Sequence, residues 1–96
     1  MPEDVTTPAT MARDAIAAEV RAEMARQSKT LADLGDVLGV SRQSMHLRLR
    51  GHQPFRGEEL VLIARYLGVP TEQFVRPVPD LGPIQPGLLA VDGGAR

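Results

Sequence analysis

Apolar residues recur along this chain with the spacing of α-helices, in segments separated by glycine and proline. In the first segment Ile16, Val20 and Met24 repeat every four residues, which predicts one buried stripe on a helix from about residue 8 to 28. No alternation of period two is long enough to predict a sheet. The pattern therefore favours an all-α fold.

The second and third segments carry sharp start and stop signals. Thr30 is placed as an N-cap with Asp33 three residues later, as in a capping box. Gly39 is placed as a left-handed residue that ends the second helix, at about 30–38. Ser41 is a second N-cap, and it opens a helix over about 41–50 that stops before Gly51. Because only two residues separate the second helix from Ser41, the two helices must cross steeply, as in a helix-turn-helix.

Two further helices complete the predicted core. They span about 57–67 and 71–75, and Phe74 of the last one is expected to turn back to the core. Gly35 lies in the middle of a helix, where it predicts the close approach of a second helix. The residues expected to be buried are Leu34, Leu38, Met45, Leu49, Leu60, Ile63 and Leu67.

Length and proline content predict one compact five-helix domain with two tails. The 96 residues leave no room for two cores. Residues 1–8 are expected to form a flexible arm and 9–76 the domain. Residues 77–96 are expected to form an extended or disordered tail, since 76–96 hold four prolines and four glycines.

The composition argues against several kinds of functional site. Cysteine is absent, which excludes disulfides and thiolate metal sites. His46 and His52 have no neighbouring carboxylate or serine that suggests catalysis, so neither an enzyme nor a metal or cofactor site is expected. No apolar run approaches the length of a membrane span, and the acidic, polar start does not resemble a secretory signal. A cytoplasmic location is expected.

Charge is segregated along the chain. Residues 37–57 contain no acidic side chain and hold Arg42, Arg48, Arg50 and Arg56, whereas the other 75 residues carry a charge of -5. This segregation predicts an anionic partner, against the alternative of an ordinary solvated face. A helical projection of the third helix places Met45 and Leu49 on the core side. The outward face then carries Gln43, Leu47 and Arg50, with Ser44 and His46 beside them and Arg42 in the first turn.

Two stretches of this sequence resemble the lambda repressor/Cro-type (Xre) family of helix-turn-helix proteins. They are TLADLGDVLGVSRQSM, which contains the turn, and RLRGHQPFRGEELVLIARYLGV, which contains the Pro-Phe loop and the helix after it. The resemblance covers residues 20–75. It implies binding of double-stranded operator DNA, with the third helix in the major groove, by a phage or bacterial regulator.

The resemblance also implies a set of site residues. The base-reading positions fall on Arg42, Gln43 and Leu47. The positions expected to contact or flank the DNA backbone are Lys29, Thr30, Ser41, Ser44, His46, Arg50, His52 and Arg56.

The sequence departs from the family at three positions. Leu31 stands where many members have a phosphate-binding glutamine, so that contact is expected to be either lost or supplied by Lys29 or the backbone of Thr30. Arg56 stands where many members have a serine or threonine cap. Arg48 occupies a position that is often apolar, and its head is expected in solvent. Glu58 and Glu59 are expected only to favour the dipole of the fourth helix.

The sequence thus predicts a sequence-specific DNA-binding transcriptional regulator, most simply a repressor, without a small-molecule ligand. The alternative is a protein-interaction module on the same fold, of the antitoxin or anti-repressor type. A weak homodimer is expected, because one helix covers only a few base pairs. The candidate dimer surfaces are the start of the first helix, with Val5, Met11 and Ile16, and the apolar residues of the tail.

Overall fold

The computed structural model describes residues 7–77 and 82–83, and that part of the chain is helical without any strand. Its helices are α1 (Pro8–Arg26), α2 (Leu31–Leu38), α3 (Arg42–Leu49), α4 (Gly57–Leu67) and α5 (Glu72–Val75). These bounds agree with the predicted helices to within two residues. Residues 1–6 of the predicted arm and residues 78–81 and 84–96 of the predicted tail lie outside the described residues.

Side-chain caps explain where the helices begin. Thr30 Oγ1 accepts from the backbone N–H of Asp33 at 3.1 Å, and Asp33 Oδ2 accepts from the N–H of Thr30 at 2.9 Å. The predicted capping box is therefore confirmed. Ser41 Oγ accepts from the N–H of Ser44 at 3.1 Å and opens α3 in the same way. Gly39 ends α2 with a φ of 69°, as predicted.

One aliphatic core joins all five helices. The buried cluster consists of Val20, Met24, Leu34, Met45, Leu49, Leu60, Ile63, Ala64, Leu67 and Phe74. Six of the seven predicted core residues are buried, but Leu38 is only half-buried and packs against the edge of the cluster. Leu38 lies one turn after Leu34, at the end of α2, so its side chain reaches only the edge of the core. Ile16 packs against the same cluster and is also half-buried.

Gly35 allows a close approach, as predicted, but the prediction that a second helix makes this approach is wrong. A Cβ at Gly35 would lie 3.2 Å from the carbonyl oxygen of Val40, which belongs to the turn and not to a second helix. The backbone of Val40 also donates to the carbonyl of Gly35 at 3.0 Å. The small residue therefore lets the turn after α2 fold back onto the helix, and this turn sets the direction of α3.

The helix α3 is held from two sides. It packs chiefly against α2 and α1, and α5 also packs against α1. Arg21 of α1 donates from its guanidinium to the carbonyl of Leu49, in the last turn of α3. A cation suits this end of a helix, where carbonyl groups lack partners.

Candidate nucleic-acid interface

The outward face of α3 matches the helical projection. Met45 and Leu49 are 0% and 6% exposed, so they hold the opposite face in the core. Arg42, Gln43, His46 and Arg50 are exposed. Leu47 and Ser44 are half-buried, so Leu47 presents less apolar surface than an exposed leucine would. The accessible part of the face is therefore polar and basic at both ends of the helix.

A groove lies between the start of α2 and the first half of α3. It has a volume of about 680 Å³ and is lined by Thr30, Leu31, Ala32, Arg42, Gln43 and His46. Four of these six residues belong to the predicted site. The structure thus brings together predicted base-reading residues with predicted backbone-contacting ones, although they are up to 13 positions apart in the sequence.

The start of α2 supplies backbone N–H groups to this groove. The N–H of Thr30 is already bound by Asp33, so it cannot take the place of the glutamine that Leu31 replaces. The N–H groups of Leu31 and Ala32 lie in the first turn, where a helix offers no acceptor of its own. Together with the positive end of the helix dipole, these two groups suit an anion such as a phosphate oxygen.

Lys29 is engaged with an aromatic ring. Its Nζ lies 5.0 Å from the centroid of the Tyr66 ring, within the range of a cation–π contact. Such a contact at a partly exposed site is worth about 0.5–1 kcal/mol. A phosphate contact by Lys29 would therefore have to compete with Tyr66.

The segment after α3 is folded back onto the helix. The carbonyl of Leu47 accepts from the backbone N–H groups of His52 at 2.9 Å and Gln53 at 3.3 Å. Gly51 has a φ of 80°, and a Cβ there would lie 2.7 Å from Oδ1 of Asp14. This left-handed residue holds the segment close to α1, while Arg50, His52 and Arg56 remain exposed around it.

Arg48 does not place its head in solvent, contrary to the prediction. Its Nε and Nη2 donate to the two carboxylate oxygens of Glu59 at 3.0 and 3.2 Å. The two side chains are only 12% and 10% exposed. Glu59 therefore does more than favour a helix dipole, and it neutralises one of the four arginines of the basic segment. The accessible cations of that segment are Arg42, Arg50 and Arg56.

Arg56 replaces the usual cap of α4 without capping it by its side chain. Its backbone N–H donates to Oε1 of Glu59 at 3.0 Å, so the carboxylate at the third helical position supplies half of a capping box. The guanidinium lies 4.0 Å from the carboxylate of Glu58, with both side chains more than 70% exposed. Exposed pairs of this kind are weak, which leaves Arg56 available to an anionic partner.

Sequence reasoning missed two residues that hold the interface in place, Arg21 and Glu59. The signal for Glu59 in the sequence is its place as the third residue of α4, together with an arginine at an apolar position of α3. Arg21 binds a backbone carbonyl 28 residues away, and no sequence pattern marks such a contact.

Comparisons with known proteins do not identify a family. No protein-family model matches the chain, and no curated protein or solved structure was found to be similar to it. Among the described residues no group of three or more histidine, aspartate or glutamate side chains could hold a metal ion. No helix in this part of the chain is both long enough and apolar enough to cross a bilayer.

Proposed function

We propose that this protein is a sequence-specific regulator of transcription, most simply a repressor, that binds double-stranded DNA through a helix-turn-helix formed by α2 and α3. The observation that carries this proposal is the outward face of α3. It joins Arg42 and Gln43, which belong to the acid-free segment 37–57, to Thr30, Leu31 and Ala32 at the start of α2 in one groove.

The dimensions and chemistry of this face support binding in the major groove. An α-helix with its side chains is about 10–12 Å across, which matches the major groove of B-DNA, about 12 Å wide. Arginine pairs with the major-groove edge of guanine and glutamine with that of adenine. Arg42 and Gln43 are the proposed base-reading residues, and Leu47 can offer a half-buried methyl surface to thymine.

The groups around α3 support backbone contacts. The N–H groups of Leu31 and Ala32 lie on one side, and Arg50 and Arg56 lie after the other end of the helix. Phosphate contacts of this kind fix the register of a protein on DNA, while base contacts select the sequence. The same arrangement accords with the resemblance to the Xre family, in which these positions contact DNA.

A salt titration tests the electrostatic part of the proposal. Binding to a random duplex should weaken steeply with salt. Arg50→Ala and Arg56→Ala should each lower the magnitude of the salt slope by about one unit and weaken all sequences alike. Arg65→Ala is the matched control, since Arg65 is an exposed arginine of α4 outside the basic segment. Equal slopes for all three variants would contradict the proposed interface.

One observation favours a second candidate, a protein-interaction module. Val61, Leu62 and Tyr66 on the outer face of α4 are 42%, 46% and 39% exposed. An apolar surface of this kind suits a protein partner. The salt titration distinguishes the two candidates. A protein-interaction module without DNA binding would show no salt-dependent affinity for duplex DNA.

A weak homodimer remains part of the proposal, since two copies on adjacent half-sites would gain both affinity and specificity. Of the surfaces expected to form it, Ile16 is partly used by the core, whereas Met11 is half-buried near the start of α1. Val5 and most of the tail lie outside the described residues. Sedimentation of the full chain and of a chain without residues 77–96 tests this assignment. A monomer in both cases, binding one half-site singly, would contradict it.

A further inference from the structure

We infer that Glu59 is a positioning residue for DNA recognition, which fixes α3 relative to the basic segment that follows it. The inference rests on the proposed function and names a role that the base-reading and phosphate-binding residues do not include. Its starting point is the pair Arg48–Glu59, which joins the third helix to the first turn of the fourth.

The geometry of this pair is specific. Both oxygens of Glu59 accept from Arg48, at 3.0 Å from Nε and 3.2 Å from Nη2. A two-point contact between a planar guanidinium and a carboxylate restricts orientation as well as distance. Because both side chains are nearly buried, water and salt screen the contact much less than they would an exposed pair.

The same carboxylate also fixes the backbone on the far side of the loop. Oε1 of Glu59 accepts from the backbone N–H of Arg56 at 3.0 Å, in addition to Nε of Arg48. Residue 56 is the proposed phosphate contact at the end of the loop, and Arg48 lies in the helix that carries Arg42 and Gln43. One side chain therefore sets the distance between the base-reading helix and a backbone-contacting residue.

The packing of the helices shows why the contacts of Glu59 matter for the position of α3. The chief neighbours of α3 are α2 and α1, whereas α4 packs chiefly against α2. Glu59 thus adds a direct, oriented link between α3 and the start of α4 to the core that the two helices share. A recognition site needs its groups held to within about 0.5 Å, so a looser link should reduce discrimination between sequences more than general affinity.

If Glu59 acted only through its charge, its removal would change DNA binding in the opposite direction. Glu59 is an anion beside a basic segment, so removing its charge should strengthen binding to DNA if it has no positioning role. Glu58→Gln is the matched control for this effect. It removes the same charge one residue away, from a side chain that is 72% exposed and makes only a 4.0 Å contact with Arg56.

The design uses two variants of the pair. Glu59→Gln keeps an acceptor for the N–H of Arg56 but leaves the buried charge of Arg48 without its partner. Since an unpaired buried charge can unfold a small domain, the second variant is Arg48→Met with Glu59→Gln. This double variant removes one positive and one negative charge, so its net charge equals that of the wild type.

The experiment measures affinity for a duplex obtained by selection and for a random duplex, after circular dichroism has shown each variant to be folded. The double variant, and Glu59→Gln where it folds, should lose about tenfold or more for the selected duplex, the scale of one lost base contact. Their affinity for random duplex should change much less, and the double variant should keep the wild-type salt slope. Glu58→Gln should not lose discrimination.

Each other outcome has a distinct meaning. If the wild type binds the selected duplex and the folded double variant discriminates as well as it does, the positioning role is wrong while the proposed function stands. If Glu59→Gln binds both duplexes more tightly while the double variant, whose net charge is unchanged, binds both like the wild type, Glu59 acts only through its charge and the positioning role is wrong. If the wild type does not bind duplex at all, the proposed function fails and this inference fails with it.

Discussion

Gln73 of α5 donates a hydrogen bond from Nε2 to Oε1 of Glu23 on α1, over 2.7 Å. Glu23 is 7% exposed, and its carboxylate also accepts from Gln27 at 2.8 Å and from Arg26 at 2.9 Å. Gln27 in turn donates to the carbonyl of Leu67 at 2.7 Å, at the end of α4. A single buried carboxylate therefore ties α1 to α5, and through Gln27 to α4.

This network predicts a stability that depends on pH. Hydrogen bonds from Gln27, Arg26 and Gln73 lower the pKa of Glu23 below its ordinary value of 4.5. A carboxyl whose pKa is lowered in the folded state contributes stability above its unfolded pKa, and this contribution is lost as pH falls through the folded pKa. Glu23→Gln should therefore lower the melting temperature at pH 7 and flatten its decline below about pH 4.5. Thermal unfolding from pH 7 to 3 measures this, and an unchanged acid slope would exclude Glu23 as its source.

The capping box of α2 should contribute measurably to stability. Thr30→Ala removes the acceptor for the N–H of Asp33 and should destabilise the fold by about 1 kcal/mol. Thr71→Ala is the matched control, because the side chain of Thr71 makes no capping hydrogen bond at the start of α5. Urea unfolding of both variants compares the two sites. Equal losses would mean that the Thr30 cap contributes nothing specific.

The two leucines of α2 should differ in their contribution to the core. Leu34 is 0% exposed, so Leu34→Ala should cost about 2–5 kcal/mol. Leu38→Ala should cost clearly less, because Leu38 is only half-buried and loses less apolar contact. Chemical denaturation of the two variants measures the difference, and a larger loss at Leu38 would contradict the placement of the α2 face.

Two glycines around the loop after α3 should respond to alanine in opposite ways. Gly51 has a φ of 80°, and a Cβ there would meet Asp14 at 2.7 Å, so Gly51→Ala should destabilise by more than about 1 kcal/mol. Gly57 lies at the start of α4 with nothing within 4 Å of such a Cβ, so Gly57→Ala should be neutral or stabilising by up to about 1 kcal/mol. Melting temperatures of both variants test this, and a stabilised Gly51→Ala would rule out the strained turn.

Local signals in the sequence account for most of the fold. Thr30, Asp33 and Ser41 satisfy backbone groups within three residues of themselves, so their spacing alone predicts the starts of α2 and α3. The apolar spacing likewise predicts which faces are buried. The spacing predicts a deeper Leu38 than the structure shows, because periodicity gives the direction of a side chain but not its distance from the centre of the core.

Long-range polar contacts are the part that the sequence does not reveal. The sequence predicts that the head of Arg48 lies in solvent, because an arginine at the margin of a core usually extends its head outward. Its actual partner, Glu59, becomes adjacent only when α3 and α4 are assembled. The contact of Arg21 with Leu49 has the same origin. The neighbour of Gly35 is likewise not predictable from the sequence: it is the turn after α2 and not another helix.

The measurement that tests the central claim most directly is selection of binding sites from random duplex DNA, followed by titration of the selected duplex. Wild type, Gln43→Ala and Gln53→Ala should be compared, since Gln53 is an exposed glutamine of the loop outside α3. We expect the selection to converge on one sequence. Gln43→Ala should then cost about 1–3 kcal/mol and relax the preference at one base pair, whereas Gln53→Ala should keep that preference. A selection without convergence, or a Gln43→Ala variant with unchanged affinity and preference, would contradict the reading of DNA by α3.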